Sequence, residues 1–359
     1  MAATDRADAG AAAQHVVSLS ASFMVSAALH AVATLDVATQ LRFGPRSAEQ
    51  LAAACGADAD ALHRAMRLLA AHGVFRLTPP RTYELDAAAR CLLPGEPGSV
   101  HAAVSWLADA FHFKVFGAEG GMLRSLRTGE PAVASAVGAP IFEHLAADPA
   151  LSRSFNAAMS EFSAAIMRSG ALQSCDLSGV DVVADIGGGH GAVLAAVLRA
   201  HPAMRGVLLE LPAVAAGAAE ALAREGVADR ATVVAADFFA DGAAMPRADA
   251  YIMKHIIHDW DDGRASHILR AVRAAMQPPL AAKRLLLLER VLPADDDMAG
   301  GEAARFTHVI DMEMLVVAGG CERTEAEFAA LLRTAGLRLE RVVRTQTQVC
   351  VIEARPDGA

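Results

Sequence analysis

Lysine is nearly absent from this 359-residue chain: only Lys114, Lys254 and Lys283 occur. Acidic residues number 41 against 32 Lys plus Arg, for a formal charge of −9. Nucleic-acid binders draw most of their affinity from a basic face that neutralises phosphates, so this balance argues against such a partner. Cysteine is scarce as well. Cys55, Cys91, Cys175, Cys321 and Cys350 are scattered, with no CxxC pair and no even framework, a pattern that fits a reducing cytoplasm. The opening "MAATDRADAGAAAQ" contains two Asp and no apolar core, unlike a secretory signal. The further expectation is that no uncharged run of about 18 residues marks a membrane span.

What the chain does have is apolar residues, 54% of the total and rich in alanine, which is enough to form a substantial core. Its length suits two domains, or one large and one small. The first third reads as helical. From Val16 to Leu41 apolar residues recur at helical spacing, with few charges, which predicts that much of this region is buried. Ser47 to Gln50 has a capping-box pattern. A second helix follows in "GADADALHRAMRLLAAHGVF", with Leu62, Met66 and Leu69 on its apolar face and Gly73 ending it. "VFRLTPPRTYEL" then reads as two short extended runs around a Pro-Pro turn. Helix, turn, helix and hairpin make a winged-helix pattern. Either DNA binding or a packing and dimerisation module can use it; with only His63, Arg64 and Arg67 as donors on an acidic chain, the composition favours packing. After the linker-like "PGEPGS", a helical segment from His101 to Gly170 carries many aromatics and methionines. These can fill a core or wall an apolar pocket.

From Val180 onward strand-length apolar runs alternate with helical stretches. The strands are predicted at 182–187, 206–211, 232–238, 248–257, 284–292, 337–344 and 348–354. Repeated β–α units predict an α/β fold with a mainly parallel, doubly wound sheet, whose ligands bind beyond the carboxyl ends of the strands. "ADIGGGHG" sits at the first such end, with Asp185 followed by Gly187, Gly188, Gly189 and Gly191. Glycines there let the backbone approach a ligand closely. The spacing is G-x-G-x-G, not the G-x-G-x-x-G of dinucleotide pyrophosphate sites. Glu210 ends the next strand, placed to hold a ribose diol, and Asp237 ends the third, beside Phe238, which can cover an adenine ring. Two acids and a loop without a phosphate fingerprint fit S-adenosylmethionine, which has a ribose, an adenine and a sulfonium but no phosphate.

The fourth strand runs into "MKHIIHDWDD". Read as continuous strand, it points His255 and His258 to opposite faces and leaves His258 at the edge. Three readings compete for this pair. As metal ligands the histidines diverge and lack a third ligand at motif spacing. As a strand terminus they are merely solvated. As a general base, His258 stands where an acceptor meets the cofactor, and an imidazole of pKa about 6.5 suits proton removal near neutral pH. A phenol, with pKa about 10, must lose its proton as its oxygen attacks. Glu289, read as the end of the fifth strand, and Glu322, just before a helix, are each either a partner for a charged His258 or a plain strand end or helix cap. The acids after His258 read as a helix start, through Asp261 or Asp262.

In order, "DIGGGHG", "LELPAV", "ADFF", "MKHIIHDWDD", "LLLLERVLP" and "GGCERTEAEF" make the chain, from about Val16 to Ala354, resemble the S-adenosylmethionine-dependent O-methyltransferases of the plant caffeate and bacterial polyketide or antibiotic type. The resemblance implies a class I, Rossmann-like methyltransferase core at residues 179–359, preceded by a helical segment at 101–178 that completes a catalytic domain at 101–359. It also implies an N-terminal winged-helix dimerisation domain at residues 1–100. It implies that His258 is the base, helped by Glu289 and Glu322, and that Gly187, Glu210, Asp237, Phe238 and Lys254 contact the cofactor. Asp185 and Gly189 belong to the same loop. Members often have Asp where this chain has Glu210, and Lys or Arg where it has Cys321. The implied activity is methyl transfer to a hydroxyl of a small aromatic secondary metabolite by a cytoplasmic homodimer, with no metal, membrane or nucleic-acid partner. The acceptor pocket is expected to be lined by Trp106, Phe111, Met159, Phe162, Met312 and Met314. N-methylation of a heteroaromatic ring, or a winged-helix regulator that senses the cofactor, are the alternatives.

Overall fold

Ser47 accepts from the Gln50 amide while the Gln50 side chain accepts from the Ser47 amide, so the helix Ala48–Cys55 begins with a closed capping box. Asp58 caps Ala59–Ala71 through the Ala61 amide, and Leu62, Met66 and Leu69 form that helix's buried stripe. These elements come from a computed structural model that describes residues 3–117, 121–240, 245–294 and 301–358. The chain folds as two units: Met1–Phe113 with Arg153–Phe162, and Lys114–Ser152 with Ser163–Ala359. In the first, the expected hairpin is β2 (Arg76–Thr78) and β3 (Thr82–Glu84). A two-residue strand, β1 (Arg46–Ser47), adds to it in the order β1-β3-β2. Tyr83 is buried, its hydroxyl 2.7 Å from His63 Nδ1 and 3.1 Å from the His63 carbonyl, so His63 is engaged within the fold.

Two expectations for the N-terminus are corrected. The helices Ala3–Ser20 and Ser22–Thr34 are not largely buried: Val16, Val17, Leu19, Phe23 and Met24 are each more than half exposed. Burial begins at Val32, Ala33, Val37, Ala38 and Leu41, where the chain meets the capped helices. The chain also does contain a long uncharged run: Gly10–Thr34, 25 residues, is helical and apolar enough by length to cross a bilayer. Ser, His, Gln and Ala dilute its apolar residues, so it does not stand out as a block of large hydrophobes.

The second unit holds a sheet built from β4 (Val182–Ile186), β5 (Arg205–Glu210), β6 (Ala231–Ala235), β7 (Ala250–Lys254), β8 (Arg284–Leu292), β9 (Arg323–Thr324), β10 (Leu337–Arg344) and β11 (Val349–Pro356). The main order is β10-β11-β8-β7-β4-β5-β6, with β9 pairing β8. Strands β4 to β8 run parallel, and β10 and β11 add an antiparallel edge. β8 shows why four consecutive leucines make a strand. Leu285 and Leu287 enter one core with Ile268, Leu269 and Phe328; Leu286 and Leu288 enter the other with Leu194 and Leu198. Both faces are covered, so the pattern is a continuous apolar run rather than an alternation.

The order switches direction at β4, flanked by β5 and β7, and this places the loops after β4 and β7 side by side. The chain passes from β7 to the next helix, Asp262–Ala275, differently from the expected continuous strand. β7 stops at Lys254, His255 takes a left-handed φ of 54°, and Ile257–Asp259 forms a 3₁₀ turn. β8 continues past Glu289 to Leu292, where Val291 and Leu292 pair with Arg323 and Thr324 of β9. Glu289 is therefore inside a strand, not at its end.

Candidate active site

Glu289 is why β7 turns. One of its carboxylate oxygens accepts from the amides of both Ile256 and Ile257, at 3.0 and 2.9 Å, and this bends the chain out of the sheet. The turn swings His258 back over His255. Their rings stack at 5.1 Å, inclined by 24°, where an unbroken strand would have separated them. His255 lies 3.5 Å from Arg290, and burial together with the Lys254 and Arg290 cations holds its pKa well below the ordinary value.

His258 is buried among acids. Its Nδ1 lies 2.8 Å from Glu322 Oε1 and 3.7 Å from Glu289 Oε2, and its Nε2 lies 3.6 Å from Asp259 Oδ1. Burial pushes the imidazole pKa down, but Glu289, Glu322 and Asp259 outweigh it and raise it to about 9. Asp259 in turn is pushed up to about 7 by burial against the pull of His258. Glu289 is raised by burial, with His258 opposing. The remaining oxygens, Glu289 Oε2 and Glu322 Oε2, have no hydrogen-bond partner among the described residues. Glu322 is fixed from behind, its amide donating to Asp311 at 2.9 Å. The cluster also supplies what the metal reading lacked in sequence, since His258, Glu289 and Glu322 bring ligating atoms within 4.8 Å of one another. The 2.8 Å contact has the length of an imidazole–carboxylate hydrogen bond.

At the neighbouring strand ends, Gly187, Gly189 and Gly191 all take positive φ. A Cβ on Gly188 would lie 2.3 Å from Asp185 Oδ2, so the loop backbone rests on the buried Asp185 carboxylate. Burial raises Asp185 to about 7 against the Lys254 ammonium, and neither of its oxygens has a close hydrogen-bond partner among the described residues. Glu210 accepts from the Gly189 amide at 2.8 Å and from the Leu211 amide at 2.7 Å.

Comparison with known proteins gives this geometry a family. Residues 123–338 match a family model described as an O-methyltransferase domain, and residues 17–95 match one described as an O-methyltransferase dimerisation domain. The chain is 36% identical to the phenazine O-methyltransferase of Lysobacter antibioticus over 93% of each sequence. Its structure is similar to that of a mitomycin 7-O-methyltransferase, with a TM-score of 0.85, 35% identity and coverage of 98% and 99% of the two chains. The chain belongs to the S-adenosylmethionine-dependent O-methyltransferases. The same relatives include an 8-amino-8-demethylriboflavin N,N-dimethyltransferase of Streptomyces davaonensis, 34% identical over 96% of this chain and 95% of that one.

Solved relatives contain S-adenosylmethionine or its demethylated product, and the strand ends of this methyltransferase suit that cofactor. The glycine loop packs at Gly188 against Asp185 and Leu208 and carries no pyrophosphate fingerprint, and Glu210 sits at the end of β5. Asp237 and Phe238 lie just beyond β6, which ends at Ala235, rather than within it. Asp237 is exposed and accepts from the Phe239 amide at 2.8 Å. Phe238 sits 3.9 Å from where a Gly187 Cβ would be, so it edges the same loop. Lys254 closes β7, its pKa lowered by burial and supported by Glu289 and Asp185.

The six expected pocket residues fall in both units. In the first, Trp106 and Phe111 are buried and stack at 5.6 Å, and Met159 and Phe162 lie half-buried on the helix Pro149–Arg168, whose Phe155 packs edge-on against Trp106. In the second, Met312 is half-buried near the end of the helix Gly301–Glu313, and Met314 opens a π-helical turn, Met314–Ala318. Three site features were not singled out in sequence: Asp259, Arg290 and Arg323. Asp259 adjoins His258 in the chain, which is signal enough to have suggested it. Among the acids that follow, Asp261 does cap the helix, accepting from Gly263 and Arg264.

Proposed function

We propose that this methyltransferase acts on the phenolic hydroxyl of a small aromatic secondary metabolite, with His258 as general base, in a cytoplasmic homodimer. The observation that carries the reading is the His258 Nδ1–Glu322 contact at 2.8 Å. It anchors Nδ1 on a carboxylate and leaves Nε2, 3.6 Å from Asp259 Oδ1, as the nitrogen proposed to take the proton. When bound, S-adenosylmethionine supplies a sulfonium-activated methyl group, which the acceptor oxygen attacks as the carbon–sulfur bond breaks and its electron pair stays on sulfur. His258 Nε2 receives the phenolic proton. Glu322, Glu289 and Asp259 then stabilise the imidazolium, which raises the driving force for that transfer. Asp185, Gly187, Gly189, Glu210, Asp237, Phe238 and Lys254 are proposed to hold the cofactor. Trp106, Phe111, Met159, Phe162, Met312 and Met314 are proposed to select the acceptor by size and shape.

The pKa of about 9 alters one part of the sequence reading, because His258 holds a proton in the free protein at neutral pH. Its conjugate acid is closely matched to a phenol of pKa about 10, so little driving force is lost on transfer. Replacing His258→Ala should lower kcat by roughly 10²–10⁴-fold while cofactor affinity changes little. Turnover at the wild-type rate would overturn the base assignment. The dimethyltransferase relative supports one further reading, transfer to a ring or amino nitrogen. Parallel assays of an aminophenol with its oxygen blocked and with its nitrogen blocked separate the two, and only the free phenol should be methylated.

A further inference from the structure

We propose that Arg323 is a positioning residue for methyl transfer, whose guanidinium ties the turn carrying His258 to the segment carrying Glu322 and so fixes the His258–Glu322 pair. The inference rests on the reading of His258 as base. All five guanidinium N–H groups find acceptors. Nε and Nη2 donate to Asp262 Oδ1 at 3.0 and 2.8 Å, and Nη2 also donates to the Trp260 carbonyl at 2.9 Å. Nη1 donates to the carbonyls of Ile257 and Cys321 at 3.2 and 3.3 Å. Ile257 and Trp260 bracket His258 and Asp259, so one side chain holds both ends of the turn and the residue before Glu322.

The burial of Arg323 points to geometry rather than ion pairing. The residue is 2% exposed, while its carboxylate partner among the described residues, Asp262, has a side chain 79% exposed. A buried cation is costly unless its donors are satisfied, and here neutral carbonyls satisfy most of them. A second observation converges on the same contact. A Cβ on Gly320 would lie 2.0 Å from the His258 carbonyl oxygen and 2.4 Å from Asp259 C and Trp260 N, so the two segments meet backbone to backbone. Glu322 is held on its own side by Asp311 and by the β8–β9 pairing. The His258 side is held by Glu289 at the amides that open the turn and by Arg323 at the Ile257 and Trp260 carbonyls on either side of His258 and Asp259.

The test uses Arg323→Lys, which keeps the charge but cannot span a planar five-donor fork, with Gly320→Ala as an independent variant that presses on the same turn without touching a charge. The His258 imidazole is titrated by ¹⁵N NMR in each purified protein, with its signal assigned by its loss in His258→Ala. Both variants should move the His258 midpoint to lower pH, as loosening the Glu322 contact removes stabilisation of the imidazolium. In assays, kcat should fall about 10- to 100-fold, as for a slightly misplaced catalytic group, with KM for S-adenosylmethionine changed by no more than about threefold. An unmoved midpoint in a folded Arg323→Lys or Gly320→Ala protein, with any loss of kcat matched by loss of folded material, would overturn the proposal. Failure of the base assignment is read separately, from turnover by His258→Ala. The NMR midpoint reports on the clamp whether or not that assignment holds.

Discussion

At the scale of single residues, the proposed role of His258 as base ties the pH response of the enzyme to the charge on that imidazole. Neutral imidazole is the form that can accept a proton, and three carboxylates hold the charged form up to about 9. The rate should therefore rise with pH through the neutral range and level off near that value, rather than near the 6.5 of an isolated histidine. Replacing Glu322→Gln removes the closest negative charge, at 2.8 Å. The rising limb of kcat/KM should then shift to lower pH, because the imidazolium loses support and its pKa falls. The plateau should also drop, since the charge formed during transfer is less stabilised. A pH–rate profile on the two proteins with one phenolic acceptor checks both signs. A limb that stays in place would mean that Glu322 does not feel the titrating group.

At the scale of elements, the β7-to-helix turn is held by side chains distant in sequence, and Glu289 has two jobs there. One oxygen satisfies the Ile256 and Ile257 amides, and the other faces His258 at 3.7 Å. Replacing Glu289→Ala leaves two amides unsatisfied at a cost of about 1–3 kcal/mol each, so the melting temperature should fall along with activity. Glu289→Gln keeps an accepting oxygen at the turn and removes only the charge. Its melting temperature should stay near wild type while the pH limb moves down. Equal melting temperatures for both variants would show that the amide contacts contribute little.

This turn also marks where the sequence stops being legible. β8 and β10 were readable to the residue: β8 because its leucines fill both faces, and the edge strand β10 because its strand-length run of apolar and charged residues is a local signal. The apolar run "YIMKHII" reads as strand to Ile257, yet pairing ends at Lys254, because Glu289 captures the next amides from another strand. Nothing within ten residues of His255 encodes that capture. His258, Glu289 and Glu322 were individually visible, the first two as polar residues closing apolar runs and Glu322 as an acid just before a helix, but their convergence depends on β9 pairing β8, a two-residue strand with no pattern of its own. Arg323 was hidden differently: its neighbours look like a helix cap, which Thr324 and Glu327 do form, so the arginine between Glu322 and Thr324 drew no notice.

At the scale of the whole molecule, the N-terminal helices present Val16, Leu19 and Phe23 at helical spacing, all more than half exposed, within a run of 25 residues that holds no charge. An apolar stripe of this length calls for a cover, since its burial is worth about 25 cal/mol per Å². The match of residues 17–95 to a dimerisation domain makes a second copy of the chain the favoured cover. Light scattering coupled to size-exclusion chromatography should find the protein dimeric at micromolar concentration. The double substitution Leu19→Asp and Phe23→Asp places two charges on the stripe and should shift the protein to monomer. Its far-UV circular dichroism should persist, because the core at Val32, Val37, Leu51 and Met66 lies elsewhere. The competing cover is a bilayer, and sedimentation with anionic and neutral vesicles tests it: the wild-type protein should stay in the supernatant. A monomeric wild type that pellets with vesicles would reassign the stripe to a membrane surface, and a dimer unaffected by both aspartates would move the subunit contact to another face.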